Sequence, residues 1–299
     1  MRRYLNRGLA ALSIVAGLLF AAFALTSQPI KPHSYFAEAD FLVIAHRGGA
    51  GLRPENTIAA FAHSADLGVD VLDMDLRQSK DGALIILHDR KVDRTTDGHG
   101  RADSLTLAQL QSLDAGYHFS ADDATHPFRG KHITIPTLGE VFTAFPQMRF
   151  VIEIKEDSDV LALAFCNTIK RYNFEQQVLV ASFRDRPLET FRRACPQVAT
   201  SAAFGAGLKF TLLHWLRLDA AYHPAHQAFQ FPQRLGDIEL VDRRYVQRAH
   251  AHNVEVCAWT VNDTADMRRL IDIGIDGLTT DYPDRLLETL YGLPYKEEK

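Results

Sequence analysis

Val71-Leu72-Asp73-Met74-Asp75-Leu76 sets two carboxylates between large apolar side chains. Successive side chains of a strand point to opposite faces, so Asp73 and Asp75 share one face and Leu72, Met74 and Leu76 the other. Acids on one strand face repel each other unless a cation neutralises them, and the hard ions Mg²⁺ and Ca²⁺ prefer oxygen ligands. The same device recurs in Phe150-Val151-Ile152-Glu153-Ile154-Lys155, with Glu153 and Lys155 on one face and Phe150, Ile152 and Ile154 on the other. A third carboxylate and a cation on an otherwise apolar strand are costly unless they converge on a polar site. Two histidines complete a set suited to phosphate chemistry: one in Ala45-His46-Arg47-Gly48-Gly49, the other in Leu87-His88-Asp89.

Around these runs the pattern predicts strands at Phe41–His46, Val69–Leu76, Phe150–Lys155, Val178–Phe183, Val198–Phe204, Gln227–Phe231, Val254–Thr260 and Gly277–Asp281. Helical periodicity separates most of them, at Asn56–Leu67, Thr137–Phe145, Asp157–Tyr172, Arg186–Ala194, Asp242–His252 and Asp263–Ile273. Strands alternating with helices imply parallel strands with right-handed crossovers, and eight such units close into an α/β fold of the (β/α)8 TIM-barrel type. Catalytic groups of such a barrel lie at the C-terminal strand ends, where His46, Arg47, Asp73, Asp75, Glu153, Lys155, Ser182, Trp259 and Asp281 all fall. Ser79-Lys80-Asp81-Gly82 breaks the alternation with a tight-turn signal, so Ala83–His88 is expected to return as a hairpin arm.

These motifs, with Pro54-Glu55-Asn56-Thr57, Lys80-Asp81-Gly82, Arg94-Thr95-Thr96 and Thr280-Asp281-Tyr282-Pro283, together resemble the glycerophosphodiester phosphodiesterases, from about Phe41 to Leu287 and in that family's order. The resemblance implies metal-dependent hydrolysis of glycerophosphodiesters to sn-glycerol 3-phosphate and an alcohol, with His46 and His88 as the acid/base pair. It makes Asp73, Asp75 and Glu153 the ligands of one divalent cation, Mg²⁺ or Ca²⁺. The family usually has Glu where Asp73 stands, which puts metal identity and affinity in question. It also implies an insertion after the second strand, at about 77–135, capping the barrel mouth.

Arg47 suits a phosphate clamp because its guanidinium can grip two oxygens at once. Lys155 is placed to bridge phosphate and Glu153, Glu55 to line the site, and Trp259 to stack on glycerol or head group. Asn56 reads equally as a site residue or as a helix N-cap. Asp281 is expected to secure the last loop rather than to touch substrate. Lys209–Leu218 is apolar with a tryptophan and basic residues, as an interfacial helix would be, and follows the fifth strand on the active-site side. It raises lysophospholipase D-type hydrolysis of membrane lysophospholipids as the alternative activity. A non-catalytic barrel binding phospholipid head groups is the reading from another class; it predicts loss of an acid or a histidine from the set.

The 299-residue chain carries a net charge of −4, which argues against a nucleic-acid binder. Arg2, Arg3 and Arg7 precede an apolar run from Gly8 to Leu25. Residues 1–27 are therefore expected to be a single-pass membrane anchor, with a cleaved signal segment as the alternative, and either places the catalytic domain on the non-cytoplasmic side, anchored or secreted/periplasmic. Residues 28–40 are expected to be a linker, 41–290 the barrel and 291–299 a polar tail. The three cysteines, Cys166, Cys195 and Cys257, sit in apolar or helical contexts and are expected to be buried free thiols.

Overall fold

The computed structural model describes residues 17, 20, 22–37, 40–236 and 238–292. Strands β1 (Leu42–Ala45), β2 (Val71–Gln78), β4 (Arg149–Ile154), β5 (Val178–Ala181), β6 (Ala199–Thr200), β7 (Ala228–Pro232), β10 (Glu255–Trp259) and β11 (Gly277–Thr280) pair in parallel in the order β6-β5-β4-β2-β1-β11-β10-β7. A parallel bridge between Ser201 and Ala228 joins the two ends, so the sheet closes on itself. Between strands run α1 (Ile58–Leu67), α3 (Leu138–Ala144), α4 (Asp159–Tyr172), α5 (Asp185–Ala194), α6 (Phe204–Trp215), α7 (Arg243–His250) and α8 (Thr264–Asp272), with α9 (Pro283–Tyr291) after the last strand.

Local chemistry sets the helix ends. Thr57, not Asn56, caps α1: its hydroxyl accepts from Ala60 N at 3.2 Å. Gly68 ends that helix at φ 84°, a left-handed conformation that costs glycine little. Thr137 and Glu140 form a reciprocal capping box on α3.

Strand alternation builds two cores. Leu72, Met74, Leu76, Phe150, Ile152 and Ile154 pack outward against the helices, whereas Leu42, Ile44, Val71, Val151, Leu179 and Cys257 fill the barrel interior. The inward face of β2 and β4 thus begins apolar and turns acidic only toward its C-terminal end. Tyr35, in the short turn Ser34–Phe36, is fully buried among the interior residues, and Arg149 donates to its carbonyl oxygen at 3.1 Å. The stretch expected to be a linker is therefore in part a plug. A small barrel leaves a lumen at its floor that a large side chain fills to interior density.

Between β2 and α3 the alternation is interrupted. Gly82 (φ 85°) turns the chain so that β3 (Leu84–Ile86) returns antiparallel along β2, and α2 (Leu107–Gln111) follows. This excursion has a small core of its own, around Ile85, Val92, Leu110 and Ile135. A second hairpin, β8 (Arg234–Leu235) with β9 (Ile238–Glu239), follows β7.

Two expectations are corrected. Cys166 and Cys195 form a disulfide, Cα–Cα 5.9 Å, and only Cys257 is a buried free thiol. The bridge arises because α4 and α5 pack side by side, which brings together positions 29 residues apart. Most of the apolar N-terminal run lies outside the described residues, as do 293–299 of the polar tail. Among the described residues no helix is long and apolar enough to cross a membrane. The single-pass anchor is withdrawn, and with it the placement of the catalytic domain deduced from it.

Candidate active site

The register of β2 on β4 sets the acidic centre. Asp75 lies opposite Glu153, and Asp73 one pair lower, opposite Val151. Lys155 Nζ bridges the upper pair, 3.1 Å from Asp75 Oδ1 and 2.9 Å from Glu153 Oε2. Burial, reinforced by the charges of Asp75 and Glu153, pushes Asp73 up to about 7 against the pull of His46. Burial also raises Glu153, while Asp75, though buried, is held below the usual carboxylate range by Lys155 and Arg47.

The loop after β1 delivers the basic side. Arg47 (φ 50°) and Asn56 (φ 58°) both adopt left-handed conformations, sparsely populated by residues other than glycine. Arg47 N–H donates to Asp73 Oδ2 at 3.2 Å, and its guanidinium meets Glu55 Oε1 at 3.0 Å and Asp75 Oδ2 at 3.4 Å. Asn56 Nδ2 donates to Asp75 Oδ2 at 2.8 Å. Asn56 is thus a site residue, a role that left the N-cap to its neighbour Thr57.

Each histidine has one ring nitrogen fixed by a carboxylate. His46 Nδ1 donates to Asp281 Oδ1 at 2.6 Å, and Asp281 in turn accepts from Asn262 Nδ2 at 2.7 Å. Burial disfavours the His46 imidazolium, but the Asp281 bond and the charge of Asp73 outweigh it and raise its pKa. His88 Nδ1 donates to Asp89 Oδ1 at 2.6 Å. For His88 burial prevails and the pKa is lowered. In both rings Nε2 is left for chemistry. Arg94, from the excursion after β2, donates to Asp89 Oδ2 at 2.6 Å and to both oxygens of Glu55 at 2.7 Å.

His46, Arg47, Asp73, Asp75, His88, Glu153, Lys155 and Trp259 line one cavity of about 510 Å³. Glu55 is not on its wall: the structure sets it behind Arg47, tied to two arginines, rather than against a ligand. The opposite side of the cavity is apolar, built by Phe183, Phe204, Leu208, Trp215, Phe231 and Leu240. Phe183 and Trp259 meet edge to face, ring centroids 5.5 Å apart.

The donor set suits a hard divalent cation. Asp73, Asp75 and Glu153 offer only oxygens, and burial, with the neighbouring carboxylate charges as a lesser cause, raises the pKa values of Asp73 and Glu153, a cost that a bound cation offsets. Among the described residues, however, the one group of three possible ligands whose atoms lie within 4.8 Å of one another is His250, Glu255 and Asp276. Glu255 starts β10, Asp276 precedes β11 and His250 ends α7, all away from the C-terminal strand ends, and His250 is already paired with Asp276 at 2.7 Å. Asp73, one methylene shorter than Glu, stays a layer below Asp75 and Glu153 and does not complete their group.

Two histidines, oxygen donors and the cations Arg47 and Lys155 gathered at the strand ends of a closed barrel are the groups that phosphodiester hydrolysis in a barrel needs. The profile of the glycerophosphoryl diester phosphodiesterase family matches residues 46–285. The chain belongs to this family. It is 34% identical over 252 residues, 82% of this chain and 96% of the relative, to a glycerophosphodiester phosphodiesterase of Caldanaerobacter subterraneus. It is 28% identical over 303 residues, 94% of this chain and 96% of the relative, to a lysophospholipase D of Homo sapiens. An Oleispira antarctica phosphodiesterase solved in complex with the product sn-glycerol-3-phosphate superposes with a TM-score of 0.68 at 27% identity, covering 83% of this chain and 95% of that one.

Sequence reasoning missed Asn262 and Arg94 as site residues, and it did not foresee that Asp281 holds His46. Asp281 directly follows β11, a strand end at which the sequence already placed it; its bond to His46 is what the structure adds. Nothing local marks Asn262, which lies three residues beyond β10 and acts only across the gap between neighbouring strands.

Proposed function

We propose that this chain hydrolyses glycerophosphodiesters to sn-glycerol 3-phosphate and the head-group alcohol, with His46 as general acid and His88 as general base. The convergence of both histidines, Arg47, Lys155 and three carboxylates on one cavity carries this reading. One divalent cation, Mg²⁺ or Ca²⁺, held by Asp75 and Glu153 and, once its shorter side chain is drawn up from the layer below, by Asp73, would supply neutralisation of the phosphoryl oxygens. Arg47 and Lys155 grip the same phosphate. His88, with its pKa lowered and its Nδ1–H held by Asp89, presents an unprotonated Nε2 that takes a proton from the attacking water. His46, with its pKa raised by Asp281, delivers a proton from Nε2 to the departing alkoxide as the phosphorus–oxygen bond to the alcohol breaks. The excursion after β2 caps this mouth and supplies His88, Asp89 and Arg94. Release of glycerol 3-phosphate from glycerophosphocholine, with Mg²⁺, with Ca²⁺ and with EDTA, tests the reaction beside a His46→Ala control. Metal-dependent release that the control abolishes supports it; turnover surviving either EDTA or His46→Ala refutes it.

The apolar wall favours a second substrate class, lysophospholipids, cleaved at the same bond. Phe204, Leu208 and Trp215 of α6, with Phe231 and Leu240, form a surface to which glycerol and phosphate offer nothing and an acyl chain does. Leu213 packs toward the core instead and takes no part. Trp215→Ser is expected to slow lysophosphatidylcholine hydrolysis and spare glycerophosphocholine. Equal losses on both substrates count against the acyl groove.

A further inference from the structure

Helix α6 is unusual in its outward face as well as its inward one. Phe204 is 65% exposed, Leu208 47%, Leu212 45%, Trp215 54% and Leu216, which caps the helix, 67%. Steps of three and four residues lie on one side of a helix, so these five make a stripe rather than a scatter. Phe183, 51% exposed, adjoins the same cavity wall. A helix of a soluble surface presents such positions as polar, and a contiguous apolar strip marks a docking face.

What covers it is indicated by two observations. First, the stripe is continuous with the catalytic cavity: Phe204, Leu208 and Trp215 belong to both, whereas Leu212 and Leu216 extend the apolar surface outside it. Second, residues 204–218 carry two lysine or arginine side chains, Lys209 and Arg217, and no acid, although the chain as a whole carries a net charge of −4. Lys209 and Arg217 are exposed beside the stripe. Apolar side chains flanked by cations are what an anionic phospholipid surface receives: the leucines and aromatics enter the acyl boundary and the cations meet the head groups.

We propose that the exposed face of α6 docks reversibly on a phospholipid bilayer containing anionic lipid, so that a lysophospholipid slides along the helix from the membrane into the cavity. This is surface attachment by one helix face, not a span, and it rests on reading the cavity wall as an acyl groove. The apolar surface of this one helix runs unbroken from the exposed Leu212 and Leu216 to the cavity wall at Phe204, Leu208 and Trp215, which supplies the path.

The test uses the full chain and vesicles of phosphatidylcholine with roughly one-fifth phosphatidylglycerol, enough to give a negative surface. They are doped with lysophosphatidylcholine. The probe variant is Leu212→Glu with Leu216→Glu, two exposed positions outside the cavity. Wild type is expected to float with the vesicles, and the variant's partition to fall about a hundredfold, the worth of two leucine side chains. Hydrolysis of vesicle-borne lysolipid should fall with it, while turnover of glycerophosphocholine and of a short-chain lysophosphatidylcholine below its micellar concentration stays unchanged. Unchanged glycerophosphocholine turnover also shows that the variant is folded. Failure of wild type to float overturns the proposal. So does equal flotation of the variant, which would assign binding to another segment, or a drop in oligomeric mass in the variant, which would assign the stripe to a second copy. The acyl-groove reading fails separately, if wild type does not cleave the submicellar lysolipid.

Discussion

Replacing Asp281 by Asn perturbs one atom of the site and exposes the role of His46. In the structure Asp281 accepts from two directions, from His46 Nδ1 at 2.6 Å and from Asn262 Nδ2 at 2.7 Å. Asn262 cannot turn to accommodate the change, because its Oδ1 already accepts from Asp281 N at 2.9 Å and from Thr280 Oγ1 at 3.0 Å. An amide at 281 has one oxygen, so its NH₂ must face either His46 or Asn262. Either choice removes the charge that favours the imidazolium. A charge-assisted hydrogen bond of this kind is worth about 1.5–3 kcal/mol, and one pKa unit is about 1.4 kcal/mol, so the His46 pKa should fall by roughly one to two units. If His46 is the acid, it acts only below its own pKa, and it is the basic limb of the kcat/KM profile that moves to lower pH by that amount. The acidic limb belongs to His88, whose partner Asp89 is untouched, and stays in place. Activity at pH 8 should drop more than at pH 6, by about several-fold for a one-unit shift and by tens-fold for two. The assay is glycerophosphocholine turnover across pH 5–9 at saturating divalent cation. A basic limb that does not move, or an acidic limb that moves instead, refutes the assignment of His46 as acid.

Asp73→Glu lengthens the lower ligand by one methylene toward Asp75 and Glu153, and should tighten Mg²⁺ or Ca²⁺ binding severalfold, read by calorimetric titration; weaker binding would show that the layer below is where the carboxylate is needed. Replacing Cys166 and Cys195 by Ser opens a loop spanning 29 residues in sequence and should cost about 3–4 kcal/mol and lower Tm by roughly 10 °C, with glycerophosphocholine kcat unchanged. Arg94→Ala frees both Glu55 and Asp89 and should reduce kcat about tenfold or more, with partial rescue by Arg94→Lys, which keeps the charge but loses the bidentate grip.

The alternation of charge and hydrophobe in β2 and β4 was enough to place Asp73, Asp75, Glu153 and Lys155 on the barrel interior, because side-chain direction in a strand is fixed by a period of two and owes nothing to neighbours. The same local logic yielded the parallel strands, most of the helices and the return hairpin. His46, Arg47 and His88 were legible from strand ends and from motif resemblance. Other features depend on distances between segments remote in sequence. The layer on which Asp73 sits is a matter of inter-strand register. The disulfide required α4 and α5 to lie side by side. Asn262 reaches Asp281 only once β10 and β11 are neighbours, Arg94 reaches Glu55 only once the excursion packs beside the loop after β1, and Tyr35 becomes a plug only where a closed barrel has a floor to fill. Sequence determined which groups face inward, since that is a property of each strand alone; the tertiary structure decided which of them meet, since contact depends on how the strands are staggered and what packs across them.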